Sequence, residues 1–153
     1  MKIITQNKKA LFDYTVLDTV EAGIVLTGDE VKSLRKGQAN LTGSFVVVHN
    51  GQLQMINAYI APYSHAFQKP SEELSRRNRQ LLLHRRQISR LIGEVSRGGV
   101  TLVPLKLYFT DKGLVKVEVA LCKHKKAHQR REESRERDIE RETRRELRGK
   151  YDY

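Results

Sequence analysis

Several short segments of the chain alternate between apolar and polar residues, a period that is typical of β-strands with one buried face. The alternation is clearest over residues 103–109 and 115–121, which a polar turn separates, so these segments predict an antiparallel pair. Residues 11–17 and 23–26 predict two more strands, with a bend between them at residues 21–23. The pattern therefore indicates a protein built mainly of antiparallel strands.

A hairpin is predicted in the middle of the chain. The apolar segments 44–49 and 52–60 are joined by Asn50-Gly51, and both central residues of a type I′ turn need the positive φ that Asn and Gly adopt readily. The polar residues 61–80 follow as a long connection. A connection of this length inside one domain is usually functional or disordered.

Two short helices interrupt the predicted strands. Residues 29–36 predict the first, which Gly28 or Asp29 can cap at its start. Gly37 follows where a glycine commonly ends a helix. Residues 84–97 predict the second, because their apolar residues recur at the spacing of one helical face. About six strands with two or three short helices predict a mainly β, antiparallel, OB-like barrel.

Residues 123–153 differ in composition from the rest of the chain. They contain 12 Lys and Arg against 8 Asp and Glu, and apart from the terminal tyrosines their only large apolar residues are Ile139 and Leu147. Such a segment cannot bury enough apolar surface to offset the entropy of ordering. We therefore predict two parts: the OB-like barrel over residues 1–122, and a basic, highly charged tail over residues 123–153 that is disordered or becomes helical on binding.

The chain has 29 Lys and Arg against 18 Asp and Glu, a formal net charge of +11. Such a field attracts polyanions, either nucleic acid or an anionic membrane. The tail has almost no apolar face to insert into lipid, and no apolar run approaches the ~18–20 residues of a membrane span, so we expect no membrane partner. Cys122 is the only cysteine, which excludes an internal disulfide. The first residues lack the apolar core of a signal peptide, so we expect a cytoplasmic protein.

Cations at two places in the body are candidate phosphate ligands. The run Asn7, Lys8 and Lys9 offers an amide and two ammonium groups, although composition alone favours a solvated N-terminal arm. Lys32 and Arg35 would face water from the first predicted helix.

An arginine cluster at the end of the long connection is a third candidate. Arg76, Arg77 and Arg79 present three guanidinium groups on a predicted loop, and this geometry suits bidentate phosphate contact and base stacking. A solvated loop remains the alternative.

The sequence contains no recognisable catalytic or metal motif. No histidine pairs with Ser or Cys in a known nucleophile motif, and there is no P-loop. His124 and His128 are four residues apart, but a third metal ligand is not evident. Glu21 and Glu30 are carboxylates that the sequence does not place in one cleft. We expect neither an enzyme nor a cofactor. The open alternatives are a nuclease or RNA-modifying enzyme, and a structural ribosomal protein.

The tail has the charge pattern of a marginal helix. On a helix, Glu133–Arg137 and Glu140–Arg144 would be favourable pairs, each worth about 0.2–0.5 kcal/mol. Arginine pairs at the same spacing oppose them by similar amounts, so we predict partial helicity in the free protein. A polyanion would relieve this repulsion and favour the helix, which is coupled folding and binding.

Several motifs occur in the order in which one known family has them. They are Asn7-Lys8-Lys9-Ala10, Glu21-Ala22-Gly23-Ile24, Glu30-Val31-Lys32-Ser33-Leu34-Arg35, Leu81-Leu82-Leu83-His84-Arg85-Arg86 and Lys125-Lys126-x-His128. By these motifs, over nearly its whole length, the chain resembles the small protein B family, the bacterial SsrA-binding proteins that partner transfer-messenger RNA. It departs from the family pattern at His124, where the family usually has Gly, and at residues 68–73, which lack an Asn- and Arg-rich run.

The resemblance implies an OB-like barrel that binds the tRNA-like domain of transfer-messenger RNA. It implies delivery of that RNA, with elongation factor Tu, to 70S ribosomes stalled without a codon in the A site. The tail would fold along the empty mRNA channel near the small-subunit decoding centre. We expect the protein to be a monomer.

The resemblance also assigns residues by their motifs. Those expected to lie on or support the RNA-binding surface are Asn7, Lys8, Lys9, Glu21, Glu30, Lys32 and Arg35, to which the arginine cluster adds Arg76, Arg77 and Arg79. Those expected to meet ribosomal RNA at the decoding centre are Lys125, Lys126, His128 and Arg131.

Overall fold

The structure, a computed structural model, describes residues 1–63 and 72–151, and of residues 72–73, 127–129 and 148–151 it describes the backbone alone. The strands are β1 (Lys2–Gln6), β2 (Tyr14–Ile24), β3 (Ala39–Asn40), β4 (Phe45–His49), β5 (Gln52–Ile56), β6 (Tyr59–Ile60), β7 (Arg79–Leu82), β8 (Thr101–Phe109) and β9 (Val115–His124). The helices are α1 (Lys8–Asp13), α2 (Gly28–Arg35), α3 (Glu72–Ser75), α4 (Arg85–Ser96) and α5 (Ala127–Tyr151).

Six strands close into a barrel within the described residues. Their order is β8–β4–β5–β7–β2–β9, and pairing of β9 with β8 completes the ring. β8 has room for a third partner because β4 pairs with its first half, at Leu102, and β1 pairs with its second half, from Lys106 to Phe109. The predicted mainly β, antiparallel, OB-like barrel is confirmed.

The interior of the barrel is apolar. The side chains that are fully buried there include Leu53, Met55, Leu81, Leu102, Leu107, Val117 and Val119. Leu34 of α2 and Leu91 of α4 belong to the same cluster, so both helices pack on the barrel through one apolar face. Burial of these side chains is the main source of the body's stability.

A β-bulge in β8 creates a second, smaller cluster outside the barrel. Between Pro104 and Lys106 the register shifts by one residue, which reverses the faces of the strand beyond that point. Leu102 and Leu107 therefore both face the barrel interior, although five positions separate them. The second cluster contains Ala10, Val103, Leu105, Ala120 and Cys122. The predicted single face through residues 103–109 is therefore wrong, because the alternation does not reveal the extra residue.

The beginning of the chain also differs from its prediction. Residues 11–13 belong to α1 and not to a strand, and β2 then runs from Tyr14 to Ile24 without the predicted break at residues 21–23. Two tertiary features favour the helix over the local β preference. Asn7 caps its start, and Ala10 packs into the second cluster.

The central hairpin and both predicted helices are confirmed, but the second strand ends at Ile56 rather than at residue 60, because the chain turns at Asn57, whose φ is 59°, and β6 pairs with β3 instead. Asn50 and Gly51 have φ values of 51° and 73°, as a type I′ turn requires. The start of α2 lies slightly earlier than predicted, because Thr27 rather than Gly28 or Asp29 is its cap. Glu30 completes a capping box, since its carboxylate accepts a hydrogen bond of 2.9 Å from the Thr27 backbone N–H.

The long polar connection is shorter than predicted. Residues 72–75 form α3, and residues 79–80 already belong to β7, which pairs with β5 and β2. The remaining part of that prediction, residues 64–71, lies outside the described residues. Short strands such as β7 are hard to predict, because a strand of four residues is defined by its neighbours.

The chain divides into two compact units, Met1–Lys123 and His124–Tyr153. The second unit contains α5, a helix of 25 residues that is about 37 Å long at 1.5 Å per residue. Ile139 and Leu147, its large apolar residues, are 63% and 50% exposed. Across the described residues, no helix is both long and apolar enough to cross a membrane.

Candidate nucleic-acid interface

Asn7 connects the first strand of the body to the bulge in β8. Its side-chain amide donates hydrogen bonds of 3.2 Å to the Leu41 carbonyl and 3.0 Å to the Pro104 carbonyl. Its oxygen accepts from the Ala10 backbone N–H at 3.2 Å, which caps α1. Its own backbone N–H donates to the Leu105 carbonyl at 2.7 Å. Asn7 therefore donates to two carbonyls at the bulge, Pro104 through its side chain and Leu105 through its backbone, and also links the bulge to Leu41.

The phosphate-clamp hypothesis is therefore wrong for the Asn7 amide. Asn7 is only 2% exposed, and both of its N–H donors are already used inside the body. Lys8 and Lys9 are different, because they lie in the first turn of α1 with exposed side chains. Asn7 thus fixes the helix that presents the two lysines. α1 packs on β2 and β8.

α2 presents a second pair of predicted residues. Lys32 and Arg35 are exposed, whereas Ser33 and Leu34 on the other face are buried. The Ser33 hydroxyl donates a hydrogen bond of 2.7 Å to the Ala61 carbonyl, which holds the helix against the chain that follows β6. The predicted exposure of Lys32 and Arg35 is confirmed.

Tyr63 lies between two cations of α2. The Nζ atoms of Lys32 and Lys36 are 5.1 Å and 5.2 Å from the centre of its ring, within the range of cation–π attraction. Lys32 and Lys36 are one helical turn apart, so both reach the same ring. Sequence reasoning missed Lys36 and Tyr63 as a unit, although the four-residue spacing of the lysines was visible.

Glu30 holds two of the three cluster arginines. Arg77 donates to Glu30 Oε1 through Nε at 3.2 Å and also through a terminal nitrogen, and Arg79 donates to Oε2 through Nε at 2.5 Å. Arg79 also donates to the Ala58 carbonyl at 2.8 Å and to the Ser75 carbonyl at 3.0 Å. Glu30 and Arg79 therefore fasten α2, α3 and the segment before β6 to one another.

The electrostatics of this group favour its charged state. Burial would raise the pKa of Glu30, but hydrogen bonds from Arg77, from the Thr27 backbone and from Arg79 outweigh burial and lower the pKa below its ordinary value. Burial lowers the pKa of Arg79, and Glu30 opposes that effect. The group is thus a paired, hydrogen-bonded charge cluster.

The three arginines of the cluster have different surroundings. Arg79 is 0% exposed and lies in β7, so its prediction as a phosphate ligand on a loop is wrong. Its guanidinium is fully buried and donates to the Ala58, Leu74 and Ser75 carbonyls and to Glu30, so RNA cannot reach it. Arg76 is exposed, donates to the Asn57 carbonyl at 3.2 Å and lies 5.4 Å from the centre of the Tyr59 ring. Arg77 is partly exposed, and its guanidinium forms an ion pair with the Glu30 carboxylate.

Glu21 lies on β2 with an exposed side chain. It accepts a hydrogen bond from the hydroxyl of Tyr108, which is itself buried. Burial, followed by this contact with Glu21, raises the pKa of Tyr108 well above its ordinary value. The tyrosine hydroxyl therefore remains a donor. Tyr108 was not identified from the sequence, where it reads as an ordinary strand residue.

The tail residues lie at the start of α5 and just before it. Lys125 pairs with Glu133 at 2.5 Å, and Lys126 and Arg131 are exposed. His128 lies in the helix, and its side chain is outside the described part.

The two acid-first pairs predicted along the tail are present on α5. Glu133 and Arg137 approach to 3.9 Å, and Glu140 and Arg144 approach to 2.7 Å. The tail forms a helix in the structure, whereas helix formation on binding and the balance between helix and coil in the free protein stay predictions. In the described residues, no three His, Cys, Asp or Glu side chains are grouped to hold a metal.

Comparison with known proteins identifies the family. The model of the SmpB protein family matches residues 4–149. An SsrA-binding protein of Caulobacter vibrioides is 56% identical over 83% of this chain and 82% of its own. One from Mycolicibacterium smegmatis is 54% identical over 83% and 77%.

A solved structure is similar as well. It is described as "tmRNA-SmpB: a journey to the center of the bacterial ribosome", and it matches with a TM-score of 0.66 and 47% identity over 80% of this chain and 85% of the solved one. A family match over most of the length, close relatives and a shared barrel agree. The chain belongs to the SmpB protein family.

Proposed function

We propose that this chain is an RNA-binding adaptor of trans-translation. It binds the tRNA-like domain of transfer-messenger RNA and delivers that RNA to ribosomes stalled without a codon in the A site. The observation that carries the proposal is the similarity, in sequence and in fold, to a protein solved with transfer-messenger RNA and the ribosome. The basic surface of the body supplies the matching chemistry.

Cations on two helices of the body contact the RNA in this proposal. Lys8 and Lys9 of α1, and Lys32 and Arg35 of α2, are exposed and can approach phosphates. Because each helix is fixed by buried hydrogen bonds, the backbone that carries these cations is in place before the RNA arrives. A segment that is already ordered loses less conformational entropy on binding than a flexible one.

Four buried or half-buried residues support this surface and do not contact phosphate. Asn7 holds α1, and Glu30 with Arg79 holds α2 against the barrel. Arg77 reinforces Glu30. Arg76 differs, because its exposed guanidinium near Tyr59 can still reach an RNA backbone.

The tail acts in the ribosome rather than on the tRNA-like domain. The tail carries 12 Lys and Arg and 8 Asp and Glu over residues 123–153, and the described part of its helix buries no large apolar face, so we expect its binding partner to be rich in phosphate. We place Lys125, Lys126, His128 and Arg131 against ribosomal RNA at the decoding centre, with α5 along the empty mRNA channel.

The remaining partners follow from this role. We propose that elongation factor Tu accompanies the complex, that the chain acts as a monomer and that it works in the cytoplasm, where ribosomes are. Chromatographic mass at micromolar concentration tests the monomer, and co-elution with the factor bound to GTP and charged transfer-messenger RNA tests the delivered complex.

The adaptor role requires no catalysis. We propose that the chain holds RNA without cleaving or modifying it. Incubation of labelled transfer-messenger RNA with the protein and Mg²⁺ tests this: intact RNA is expected, whereas a discrete cleavage product would assign the chain to the nuclease alternative.

The decisive experiment is affinity capture of the tagged chain from a lysate, followed by sequencing of the bound RNA. Enrichment of transfer-messenger RNA that a wash at moderate salt leaves in place is expected. Salt-resistant recovery with whole ribosomes, without transfer-messenger RNA, would instead favour the structural ribosomal protein.

A further inference from the structure

α4 packs on the barrel through one face and exposes the other. Leu91 is 1% exposed and belongs to the core, and Val95, one turn later, packs against the same cluster. The exposed side chains of α4, together with the residue that follows it, are Arg85, Arg86, Ser89, Arg90, Ser96 and Arg97. The outer face of α4 therefore consists of arginines and small hydroxyl residues, without a large apolar side chain.

The outer face of α4 carries a net positive charge. Arg90 pairs with Asp18 of β2, and Arg97 pairs with Glu94 at 3.3 Å, but both pairs are exposed and such pairs contribute little. Arg85 and Arg86 form no ion pair with a carboxylate that the structure describes. Four arginines against two carboxylates leave a charge of +2, and a phosphate can replace either exposed carboxylate as a partner.

Gly93 lies on this side of α4, one turn after Ser89 and one turn before Arg97. A methyl group added there would meet no atom of the described residues within 4 Å, so packing inside the protein does not require glycine at this position. Glycine is nevertheless one of the poorest residues for a helix interior. The missing side chain lets an external surface approach the helix backbone between the arginines.

The chemistry of this face indicates its ligand. Guanidinium groups bind phosphate oxygens through paired N–H groups, and serine hydroxyls can bond to ribose hydroxyls. The wide, shallow minor groove of an RNA duplex presents phosphates and 2′-hydroxyls together, and small side chains permit close approach to it. We propose that the outer face of α4 binds the backbone of a ribosomal RNA helix.

This inference rests on the proposed function, because a delivery adaptor must hold two RNA partners at once. α1, which packs on β2 and β8, carries the lysines assigned to the tRNA-like domain, whereas α4 packs on the core through Leu91. The body thereby has cations for the delivered RNA on one helix and for the ribosome on another. A contact from the body also makes the binding of the tail an intramolecular step, which raises the affinity of the whole chain.

The first test compares two exposed cations in the full chain. Arg86→Gln and Lys112→Gln each remove one positive charge, so net charge alone predicts equal effects. We expect Arg86→Gln to weaken binding of the complex with transfer-messenger RNA to stalled ribosomes about fivefold and to lower the salt slope by about 0.7–0.9, one phosphate contact, whereas Lys112→Gln leaves both unchanged. Affinity of Arg86→Gln for the isolated tRNA-like domain should stay within about twofold of wild type.

Two results of this comparison would overturn the inference. Equal ribosome affinities for the two variants would show that α4 adds only to a diffuse field. An equal loss of affinity for the tRNA-like domain would assign the face to the delivered RNA instead.

A second test adds bulk at Gly93 without changing the charge. Gln is a better helix former than Gly, so Gly93→Gln should melt at the same temperature as wild type or higher. Its affinity for stalled ribosomes should nevertheless fall several-fold, because the new side chain occupies the space through which the RNA approaches. Unchanged affinity for the tRNA-like domain shows that the variant is folded. Ribosome binding equal to that of wild type would contradict close approach at this helix.

Cross-linking identifies what lies against α4. Cys122 is the only cysteine of the chain and is fully buried, so a thiol-directed benzophenone attaches selectively to a Ser89→Cys variant. Irradiation of this variant on stalled ribosomes should cross-link it to ribosomal RNA. Cross-links to transfer-messenger RNA or to a ribosomal protein instead, or none at all, would refute the inference. Failure of the wild type to bind the tRNA-like domain would instead refute the proposed function.

Discussion

The body and the tail of this protein obtain their structure in different ways. In the body, a ring of six strands surrounds a core whose leucines and valines are almost completely buried. In the tail, α5 exposes the two large apolar residues it has and is held by its own backbone and by pairs such as Glu140–Arg144. The body is therefore stable without a partner, whereas the conformation of the tail depends on its surroundings.

The charges of the two regions also have different arrangements. In the body, cations on α1 and α2 project from helices that buried contacts fix in place. In the tail, cations alternate with carboxylates along one exposed helix. The first arrangement suits recognition of a folded RNA, and the second suits insertion into a channel lined with phosphate.

Removal of the tail should have the largest effect. It should abolish the activity on the ribosome and leave binding of the tRNA-like domain nearly unchanged. A chain that ends at Lys126 loses nine Lys and Arg and eight Asp and Glu, a net change of one charge. We expect its affinity for the tRNA-like domain to stay within about threefold of wild type, as one charge implies, while peptide tagging on stalled ribosomes falls to background. Filter binding and an in vitro tagging assay measure the two.

A proline substitution in α5 distinguishes the contribution of the helical conformation from that of the charges. Ser134→Pro keeps the charge of the tail and breaks the helix, at a cost of about 3 kcal/mol, whereas Ser134→Ala keeps both. Tagging should fall with Pro and not with Ala. Loss of affinity for the tRNA-like domain in either variant, or in the shortened chain, would contradict the division of work between body and tail.

Replacement of a leucine by alanine should lower the stability of the protein when the leucine lies in the body, but not when it lies in the tail. Leu81 is 0% exposed and Leu147 is 50% exposed. Leu81→Ala should lower the free energy of unfolding by about 2–5 kcal/mol, because it leaves a cavity in the core. Leu147→Ala should change it by less than about 0.5 kcal/mol. Urea unfolding of the full chain followed by near-ultraviolet circular dichroism compares the two. Equal losses would show that α5 contributes to the cooperative core.

Acid should destabilise the body through Glu30. Its pKa is lowered in the folded state from an ordinary value of 4.5, so its contribution is fully present above that pH and is lost as the pH falls through the lowered value. Glu30→Gln should cost about 3 kcal/mol at neutral pH, because it leaves Arg79 buried without its counter-charge, and should flatten the acid limb of the stability curve.

Glu94→Gln is the matched control for Glu30. Glu94 forms an exposed pair with Arg97 at 3.3 Å, and such a pair contributes little. Stability measured from pH 7 to pH 3 should therefore follow wild type for this variant. If Glu30→Gln also follows wild type, the buried cluster does not hold α2.

The smallest predicted effect concerns single cations of the body. Lys8→Ala should weaken binding of the tRNA-like domain several-fold and lower the slope of log affinity against log salt by about 0.7–0.9, one phosphate contact. Lys112→Ala removes the same charge from the turn after β8 and should leave the slope unchanged. Equal slopes for both variants would indicate a diffuse field rather than contacts from α1.

The exposure of several cations could be predicted from residue types, and the errors have a common cause. Lys8, Lys9, Lys32 and Arg35 are exposed, as charged residues usually are, whereas their role in RNA binding follows from the family motifs and stays a prediction. Asn7 and Arg79 were assigned to the RNA because nothing in their neighbours along the chain shows that they are buried. Their partners, Leu41 and Pro104 for Asn7 and Glu30 for Arg79, are tens of residues away.

The sequence alone determined the strand-rich body, the Asn50-Gly51 hairpin, both amphipathic helices and the charged tail. Each of these depends on local periodicity, on a turn residue or on composition, and such signals do not need distant contacts. Only the tertiary structure decided that β2 is continuous, that a bulge divides β8 between two clusters and that Arg79 is buried. These features depend on hydrogen bonds and packing between segments that are distant in the sequence. Those contacts form only when the barrel closes, so local sequence patterns do not reveal them.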